Sequence, residues 1–456
     1  MKIMLINPLG FNRKFIPSIG IVSIGTILKN AGYDVSIVDS NFMKNNPNSE
    51  IEKFKPDIVG ISCLSSNYSL AMKIAKFAKE KGIIVVIGGQ HISLVQEEIL
   101  QNNRFVDFGI VGDGEYSFLE LVKRIEKGSK VYNIPGLIFR KNRKIIKNKP
   151  KLIKNLDSLP FPDYSLLNIK NLKFYPLSTS RGCPFNCIYC CIPIISERIW
   201  RARSPQNVIE EIKIAKKKYK PKYFLLIDDN FSFDIKRAKE ICKLLIQKRV
   251  DIKWYCSAGI RADRFDEELG TLMKKSGCTT MVFGIESGDP EVFNRLNKGE
   301  SLKDIETAIK ICKKLKFSIE GFFIIGLPGS DKTSEEKSFE FAKKLNINSN
   351  WFFAIPFPKT KLYELTKGNI IKNPVDNPIG SSWNATPFLE TDKFSRHEMK
   401  KIYILNNLKA GNYYISRENG IADLLISILR YDAINLPKHL LLISKRIITD
   451  IWNFHL

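Results

Sequence analysis

The chain lacks any apolar run approaching the ~20 residues that a membrane-spanning helix needs, which argues against an integral helical membrane protein. Histidine is scarce. His91, His397, His439 and His455 lie far apart and form no second half-site, and the paired two-cysteine half-sites of zinc ribbons are missing as well, which argues against a structural zinc module. Acidic residues are outnumbered, 47 against 72 lysines and arginines, giving a formal charge of +25. The lysines are spread along every helical stretch, and no RNA-recognition or helix-turn-helix signature accompanies them. The excess reads as a solvated surface, and no nucleic-acid partner is expected. The opening segment Met1–Asn7 is too short an apolar run for a signal peptide, and no small-residue cleavage site follows; it reads as a first buried strand. The nine cysteines lie mostly inside apolar runs (Cys63, Cys242, Cys256, Cys278, Cys312) or in one loop. That usage suits reduced thiols in a cytoplasmic protein rather than a disulfide framework.

What is present is a long alternation of short apolar strands and helical stretches, in a length of 456 residues that accommodates two to four domains. Strands are expected at Lys2–Asn7, Asp34–Asp39, Asp57–Cys63, Ile83–Gly89 and Phe108–Gly114, and helices at Ile21–Asn30, Tyr68–Lys81, Ser93–Gln101 and Glu115–Lys127. Runs such as Ile83-Ile84-Val85-Val86-Ile87 suit a parallel sheet covered on both faces. The fold class is therefore α/β, opening with a Rossmann-like doubly wound domain over residues 1–127. Residues 128–173 read as a linker with a hairpin, in which Gly136–Arg140 and Lys144–Ile146 flank a basic turn. Alternation then resumes. Strands are expected at Pro176–Arg181, Tyr223–Asp229, Lys253–Arg261, Thr280–Ser287, Glu320–Gly326 and Trp351–Pro356, with helices at Pro205–Tyr219, Asp234–Lys248, Asp266–Lys275, Ser301–Leu315 and Ser334–Leu345. Six strands in this order make a partial (β/α)6 TIM-type barrel over residues 174–368, with chemistry at the carboxyl ends of its strands. Residues 369–456 form a mostly helical C-terminal region after a Pro-, Asn- and Ser-rich loop, Asn373–Leu389. Trp200, Trp254 and Trp351 fall in the barrel and read as core or wall.

The stretch Arg181-Gly182-Cys183-Pro184-Phe185-Asn186-Cys187-Ile188-Tyr189-Cys190 carries the chemistry. Three thiolates at that spacing converge on one small metal centre from a single loop, and iron–sulfur clusters and zinc are the usual occupants. Three ligands on a four-iron cluster leave one iron open. Cys191 follows at once; adjacent thiolates point in different directions, so it reads as a neighbour and not a ligand. Cys183-x-x-x-Cys187-x-x-Cys190, preceded by Thr179-Ser180-Arg181-Gly182, resembles the radical S-adenosylmethionine (radical SAM) signature. The resemblance implies a 4Fe-4S cluster on Cys183, Cys187 and Cys190 whose open iron chelates SAM and, when reduced, splits it to methionine and a 5′-deoxyadenosyl radical. It also implies SAM contacts. These are Tyr189 beside the last cysteine, Asp228 and Asp229 for the amino group, Arg261 for the carboxylate, Glu286 and Ser287 for the ribose, and Gly326 on the adenine side.

The strand ends of the first domain carry Ser62, Gly88-Gly89-Gln90-His91 and Gly112-Asp113-Gly114-Glu115. Before a radical SAM motif, this arrangement resembles the cobalamin-binding domain of cobalamin-dependent radical SAM enzymes. The resemblance implies cobalamin contacts at Ser62, Gly88, Gly89, His91, Gly112, Gly114 and Glu115. The best-known cobalamin domains place a cobalt-ligating histidine in Asp-x-His-x-x-Gly after the first strand. The loop here, Gly10–Pro17, has none, so cobalamin without a histidine ligand is expected, and His91 reads as a polar loop residue.

The expected activity is that of a radical SAM enzyme, cobalamin-dependent and acting as a C-methyltransferase on a small-molecule or lipid substrate, with a reductant such as flavodoxin or ferredoxin. A non-methylating or cobalamin-independent radical SAM enzyme is the alternative. A tRNA methylthiotransferase would carry three more cluster cysteines in its N-terminal domain, where only Cys63 appears. A non-enzymatic cluster protein would not need the polar strand ends, and a cobalamin-binding sensor would not need the cysteines. The leucines and basic residues of Leu436–Ile447 fit either a helix packed on the barrel mouth or peripheral contact with a membrane surface.

Overall fold

The computed structural model describes residues 1–10, 16–43, 45–169, 172–372, 385–412 and 420–444. The expectations for residues 11–15 of the first loop, 373–384 of the Pro-rich loop, and 445–447 and His455 fall outside them.

The first unit runs β1 (Lys2–Asn7), α1 (Ile19–Asn30), β2 (Asp34–Asp39), α2 (Pro47–Phe54), β3 (Ile58–Ser62), α3 (Tyr68–Glu80), β4 (Ile84–Gly88), α4 (Gln90–Val95), α5 (Glu98–Asn102), β5 (Phe108–Ile110), α6 (Glu115–Glu126), β6 (Leu137–Lys141) and β7 (Lys144–Lys147). The sheet order is β2-β1-β3-β4-β5-β6-β7, with the first five strands parallel. β1 is buried along five of its six residues, as a parallel strand covered on both faces must be. The order reverses between β1 and β3, and the crevice beyond that switch point is where such sheets receive ligands. Two expectations change here. The hairpin assigned to the linker pairs antiparallel with β5 and completes the sheet. The single helix at Ser93–Gln101 is two short helices, because Gln96 adopts φ 52° and breaks the turn.

The second unit runs β8 (Phe174–Leu177), β9 (Ser180–Arg181), α7 (Ile192–Ile195), β10 (Arg201–Ala202), α8 (Pro205–Tyr219), β11 (Tyr223–Leu226), α9 (Ile235–Gln247), β12 (Trp254–Cys256), α10 (Glu267–Lys275), β13 (Cys278–Glu286), α11 (Pro290–Arg295), α12 (Leu302–Lys314), β14 (Ser318–Ile325), α13 (Lys332–Leu345), β15 (Asn348–Phe353) and α14 (Lys361–Thr366). Six strands form one open parallel sheet in chain order, β8-β11-β12-β13-β14-β15, the expected partial barrel. The first barrel strand is shorter than expected. Ser180 and Arg181 leave it to pair antiparallel with Ala202 and Arg201, which brackets the cysteine loop between two short strands. Trp254 and Trp351 are fully buried core residues, while Trp200 donates its indole N–H to the Asn230 carbonyl at 3.0 Å.

α15 (Arg396–Lys409) and α16 (Gly420–Asp432) follow, and 436–444 is helical. α15 covers the outer edge of β15. The Asn407 side chain accepts from the Trp351 N–H and donates to its carbonyl, both at 3.4 Å, and Asn412 Nδ2 donates to the Ser349 carbonyl at 2.5 Å. These amides satisfy backbone groups that an edge strand leaves open. One core joins the α1/α6 face of the first sheet to the barrel through Tyr164, Leu167 and Tyr175; a second fills the opposite face of the first sheet.

Candidate functional site

The cysteine loop is built tightly. Gly182 has φ 87°, and a Cβ there would collide with the Ile199 carbonyl and approach Ser196 Cβ at 2.9 Å, so only glycine fits. Backbone bonds from Ile188 N–H to the Leu296 carbonyl and from Leu362 N–H to the Ile188 carbonyl tie the loop to the barrel. Cys183, Cys187 and Cys190 are half-buried. Burial raises each thiol above its ordinary range, Cys187 to about 11, and the neighbouring thiols add to the rise at Cys187 and Cys190. Arg261 lowers Cys183 and Cys187, and Lys298 also lowers Cys187. Asn230 Nδ2 donates to Cys183 Sγ at 3.8 Å. Among the described residues, no three His, Cys, Asp or Glu side chains close around a single ion. Three thiols brought together in one loop are the kind of donor set that iron–sulfur clusters take. Cys191 packs instead against the core of the first sheet, together with Ile195 and Phe357.

The adjacent carboxylates at the end of β11 separate in role. Asp228 is buried and accepts from the Thr179 N–H at 2.6 Å, Thr179 Oγ1 at 2.5 Å and Ser180 Oγ at 2.7 Å, so it anchors the strand entering the cysteine loop. Asp229 accepts from the Gly182 N–H at 2.7 Å and keeps solvent contact in a recess. The surrounding protein and the Asp228 charge raise its pKa, burial being the larger cause. Arg261 lies 3.5 Å from the Phe185 ring centroid, donates to Asp263 at 2.8 Å and to the Lys298 carbonyl at 2.6 Å, and keeps Nη2 buried without a partner. Asn230 Oδ1 and Ser232 Oγ are likewise buried and unpartnered. The orphaned groups of Arg261 and Asn230, residues that contact Phe185 and Cys183 of the cysteine loop, fit a polar ligand there.

Glu286 has φ 67°, a strained value for a residue with a side chain, and accepts from Tyr189 OH at 2.8 Å. Lys298 Nζ reaches Glu286 at 3.3 Å and Glu300 at 2.7 Å and donates to the Gly284 carbonyl. Sequence reasoning missed Lys298 and Asn230. Asn230 directly follows the Asp228-Asp229 pair but its partner Cys183 lies 47 residues away, and Lys298, although Glu300 and Glu286 are near it in the chain, stands in no motif. Ser287 is turned toward α13, at 3.2 Å from Ser338 Oγ, and accepts from the Asp289 N–H; a ribose partner was expected there. Gly326 is approached by Met399 of α15, whose sulfur lies 3.0 Å from where a Cβ would sit, and its N–H donates to Glu335. Glu335 is raised by burial to about 8.

A cavity of about 260 Å³ opens at the switch point of the first sheet. Ser62, Gly88, Gly89, Gly112, Gly114 and Glu115 all line it, as do Asp113 and, from the barrel side, Ser178 and Arg181. A Cβ on Gly88 would meet nothing within 4 Å, so bare backbone faces open space. His91 is not in the lining. It is buried, with Nδ1 3.0 Å from Ser65 Oγ and its ring 4.9 Å from that of Tyr68, and burial lowers its pKa to about 4. No histidine lines this cavity among the described residues. The volume suits a ring and sugar and not a whole corrin.

Residues 13–122 match the family model of the B12 binding domain, and residues 177–342 that of the radical SAM superfamily. The chain is 35% identical over 365 residues to an uncharacterized methyltransferase of Pyrococcus horikoshii, an alignment covering 77% of this chain and 79% of the relative. It is 26% identical to the cytidylyl-2-hydroxyethylphosphonate methyltransferase of Streptomyces wedmorensis, covering 77% and 79%, and 25% identical to the anaerobic magnesium-protoporphyrin IX monomethyl ester cyclase of Rubrivivax gelatinosus, covering 76% and 66%. The fold matches that of TsrM from Kitasatospora setae, solved with cobalamin and a [4Fe-4S] cluster bound, with a TM-score of 0.71 at 17% identity over 94% of this chain and 91% of that one. OxsB, solved with aqua-cobalamin and S-adenosylmethionine bound, gives a TM-score of 0.65 at 18% identity, over 91% and 62%. The chain therefore belongs to the radical SAM superfamily, among the enzymes whose radical SAM domain follows a B12-binding domain and whose relatives include methyltransferases.

Proposed function

We infer that the protein cleaves SAM reductively at a 4Fe-4S cluster on Cys183, Cys187 and Cys190 and transfers a methyl group to an unactivated carbon of a small-molecule or lipid substrate, with cobalamin as the methyl carrier. The observation that carries this reading is the joining of two sites. The glycine-lined cavity and the three-thiol loop share Arg181, two residues before Cys183. When bound, the cluster and one SAM would supply hydrogen abstraction, and cobalamin would pass on a methyl group taken from a second SAM. The chain's own groups hold and orient. The three thiolates ligate, and Asn230 donates to one of them. Arg261 Nη2 offers charge to the methionyl carboxylate, Asp229 accepts from the amino group, and the Tyr189–Glu286 pair faces the ribose side. Phe185 stacks against Arg261 and helps fix its guanidinium beside the loop. The residues lining the cavity of the first sheet, Ser62, Gly88, Gly89, Gly112 and Gly114 among them, would hold part of the cobalamin.

The test is anaerobic purification from cells given iron and cobalamin, with iron, sulfide and corrinoid quantified beside Cys183→Ala. The reading expects cluster and corrinoid together in the wild type, and deoxyadenosine on adding SAM and a flavodoxin- or ferredoxin-type reductant. Cluster without SAM cleavage would make this an electron-transfer protein. Deoxyadenosine without any methylated product would remove methyl transfer and leave cyclisation, rearrangement or oxidation.

The described residues contain no helix long and apolar enough to cross a membrane. Ile426, Leu429, Ile434, Leu440 and Leu441 are nevertheless exposed, Ile434 to 95%, beside the exposed Arg430 and Lys438. Leu424, Ile428 and Ile443 of the same segment are packed into the core, so the exposed outer edge suits peripheral contact with an anionic lipid surface while the inner face stays on the protein.

A further inference from the structure

One carboxylate of the first sheet grips both ends of the cysteine loop. Asp113 lies between Gly112 and Gly114 just beyond β5, in the cavity wall. Its Oδ1 accepts from Arg181 Nη1 at 3.3 Å. Its Oδ2 accepts from Arg201 Nη1 and from the Ile153 N–H, the latter at 2.8 Å. Arg181 and Arg201 face each other in the β9–β10 pair, so residues 182–200 begin and end at the two guanidiniums that this single carboxylate bridges. Glu115 adds a second bond to Arg181 at 2.7 Å, and Arg201 also donates to the Ile153 carbonyl at 2.9 Å. The side chains of Asp113, Glu115 and Arg201 are only 10%, 5% and 7% exposed. Charges so deeply buried persist only when paired, and every pairing named here crosses between the first sheet, its linker and the barrel.

We propose that Asp113, backed by Glu115, is an interdomain clip: a positioning residue that sets the cysteine loop against the corrinoid cavity and passes occupancy of the cavity to residues 182–200. Gly112, Asp113, Gly114 and Arg181 all line the cavity, so a ligand filling it restrains the residues that hold the loop. The Gly112-Asp113-Gly114-Glu115 stretch thus does more than shape a cofactor wall. The proposal rests on the corrinoid reading of the cavity.

The test is amide hydrogen exchange, followed by mass spectrometry, on cluster-reconstituted full-length protein with and without hydroxocobalamin. Wild type, Asp113→Asn and Arg201→Lys are compared, and bound corrinoid is measured in each. In the wild type, hydroxocobalamin is expected to slow exchange across 182–200 by about tenfold. In Arg201→Lys, whose side chain does not line the cavity, corrinoid content is retained and the slowing largely disappears, and Asp113→Asn loses the slowing as well. The clip is overturned if either variant binds corrinoid and shows the wild-type slowing. It is also overturned if Asp113→Asn alone loses corrinoid while Arg201→Lys behaves as wild type, since Asp113 is then a ligand contact. Should the wild type take up no corrinoid, the cavity reading falls and the clip is judged on the unloaded proteins. There both variants are expected to exchange faster across 182–200, and unchanged exchange overturns it.

Discussion

Replacing Lys298 by methionine tests whether the buried charges beside the cysteine loop form one unit. The ammonium is 7% exposed and contacts Glu286, Glu300 and the Gly284 carbonyl, while the Glu300 side chain is 1% exposed and also accepts from the Ala262 N–H. Burial alone would lower the Lys298 pKa, but Glu286 and Glu300 outweigh it and raise it. Burial alone would raise Glu300, but Lys298 outweighs it and holds the carboxyl below its ordinary range. Methionine fills much of the same volume and leaves two buried carboxylates facing each other. Removing one partner of such a pair costs about 3–5 kcal/mol at neutral pH, or roughly 10 °C of melting temperature for a unit of this size. The pH dependence carries the sign. Because Glu300 is depressed in the folded wild type, its contribution is present above the unfolded carboxylate pKa of ~4.3 and fades as pH falls through the folded value. In the variant the carboxylates favour protonation, so its deficit grows as pH rises above ~4.3. Thermal unfolding of cluster-free protein, followed by circular dichroism at pH 5 and pH 8, should show a clearly larger loss at pH 8. Lys298→Met/Glu300→Gln should recover part of it. Equal losses at both pH values, or no recovery, refute the reasoning.

Three other outcomes follow from the same geometry. Gly88→Leu places a side chain in space where a Cβ meets nothing within 4 Å, so the protein should fold normally yet bind hydroxocobalamin at least about tenfold more weakly, as measured by absorbance titration. His91 is buried neutral with its pKa lowered to about 4 by burial, so folding loses stability as pH falls from the ordinary histidine value of ~6.5 toward 4. His91→Gln should flatten the urea-midpoint profile over that window by about 3 kcal/mol, and an unchanged slope would place the acid sensitivity elsewhere. Ile434→Ser/Leu441→Ser should reduce sedimentation with anionic phosphatidylserine vesicles severalfold and leave binding to neutral vesicles unchanged; equal sedimentation of both proteins would discard the lipid-surface reading.

The parts legible in the sequence were those whose cause is local. A strand such as Ile84–Gly88 announces itself by its own apolar run, and the three-cysteine loop by its spacing. α2 escaped because its eight residues bury only Ile51, too little periodicity to read, although Asn46 caps it. Likewise, nothing in the run Ser93–Gln101 marks Gln96 as the residue that takes a positive φ, a value that asparagine or glycine would have advertised.

The candidate site was legible as a set of positions but not as a set of roles, and the reason is direction. Asp228 and Asp229 are indistinguishable in sequence. Successive side chains leave a strand end on opposite sides, so one carboxylate becomes a buried anchor for Thr179 and Ser180 and the other reaches the recess. The same physics moves Ser287 toward Ser338 and leaves Glu286, one residue earlier, on Tyr189. Asp113 shows the deeper limit. Its partners lie 68 and 88 residues away, across a domain junction, so no window of sequence holds the pairing. A carboxylate between two glycines reads as a turn until the fold brings two arginines to it. By that point it has ceased to belong to the cofactor wall alone, because the bonds that satisfy its buried charge are also the bonds that hold the cysteine loop shut at both ends.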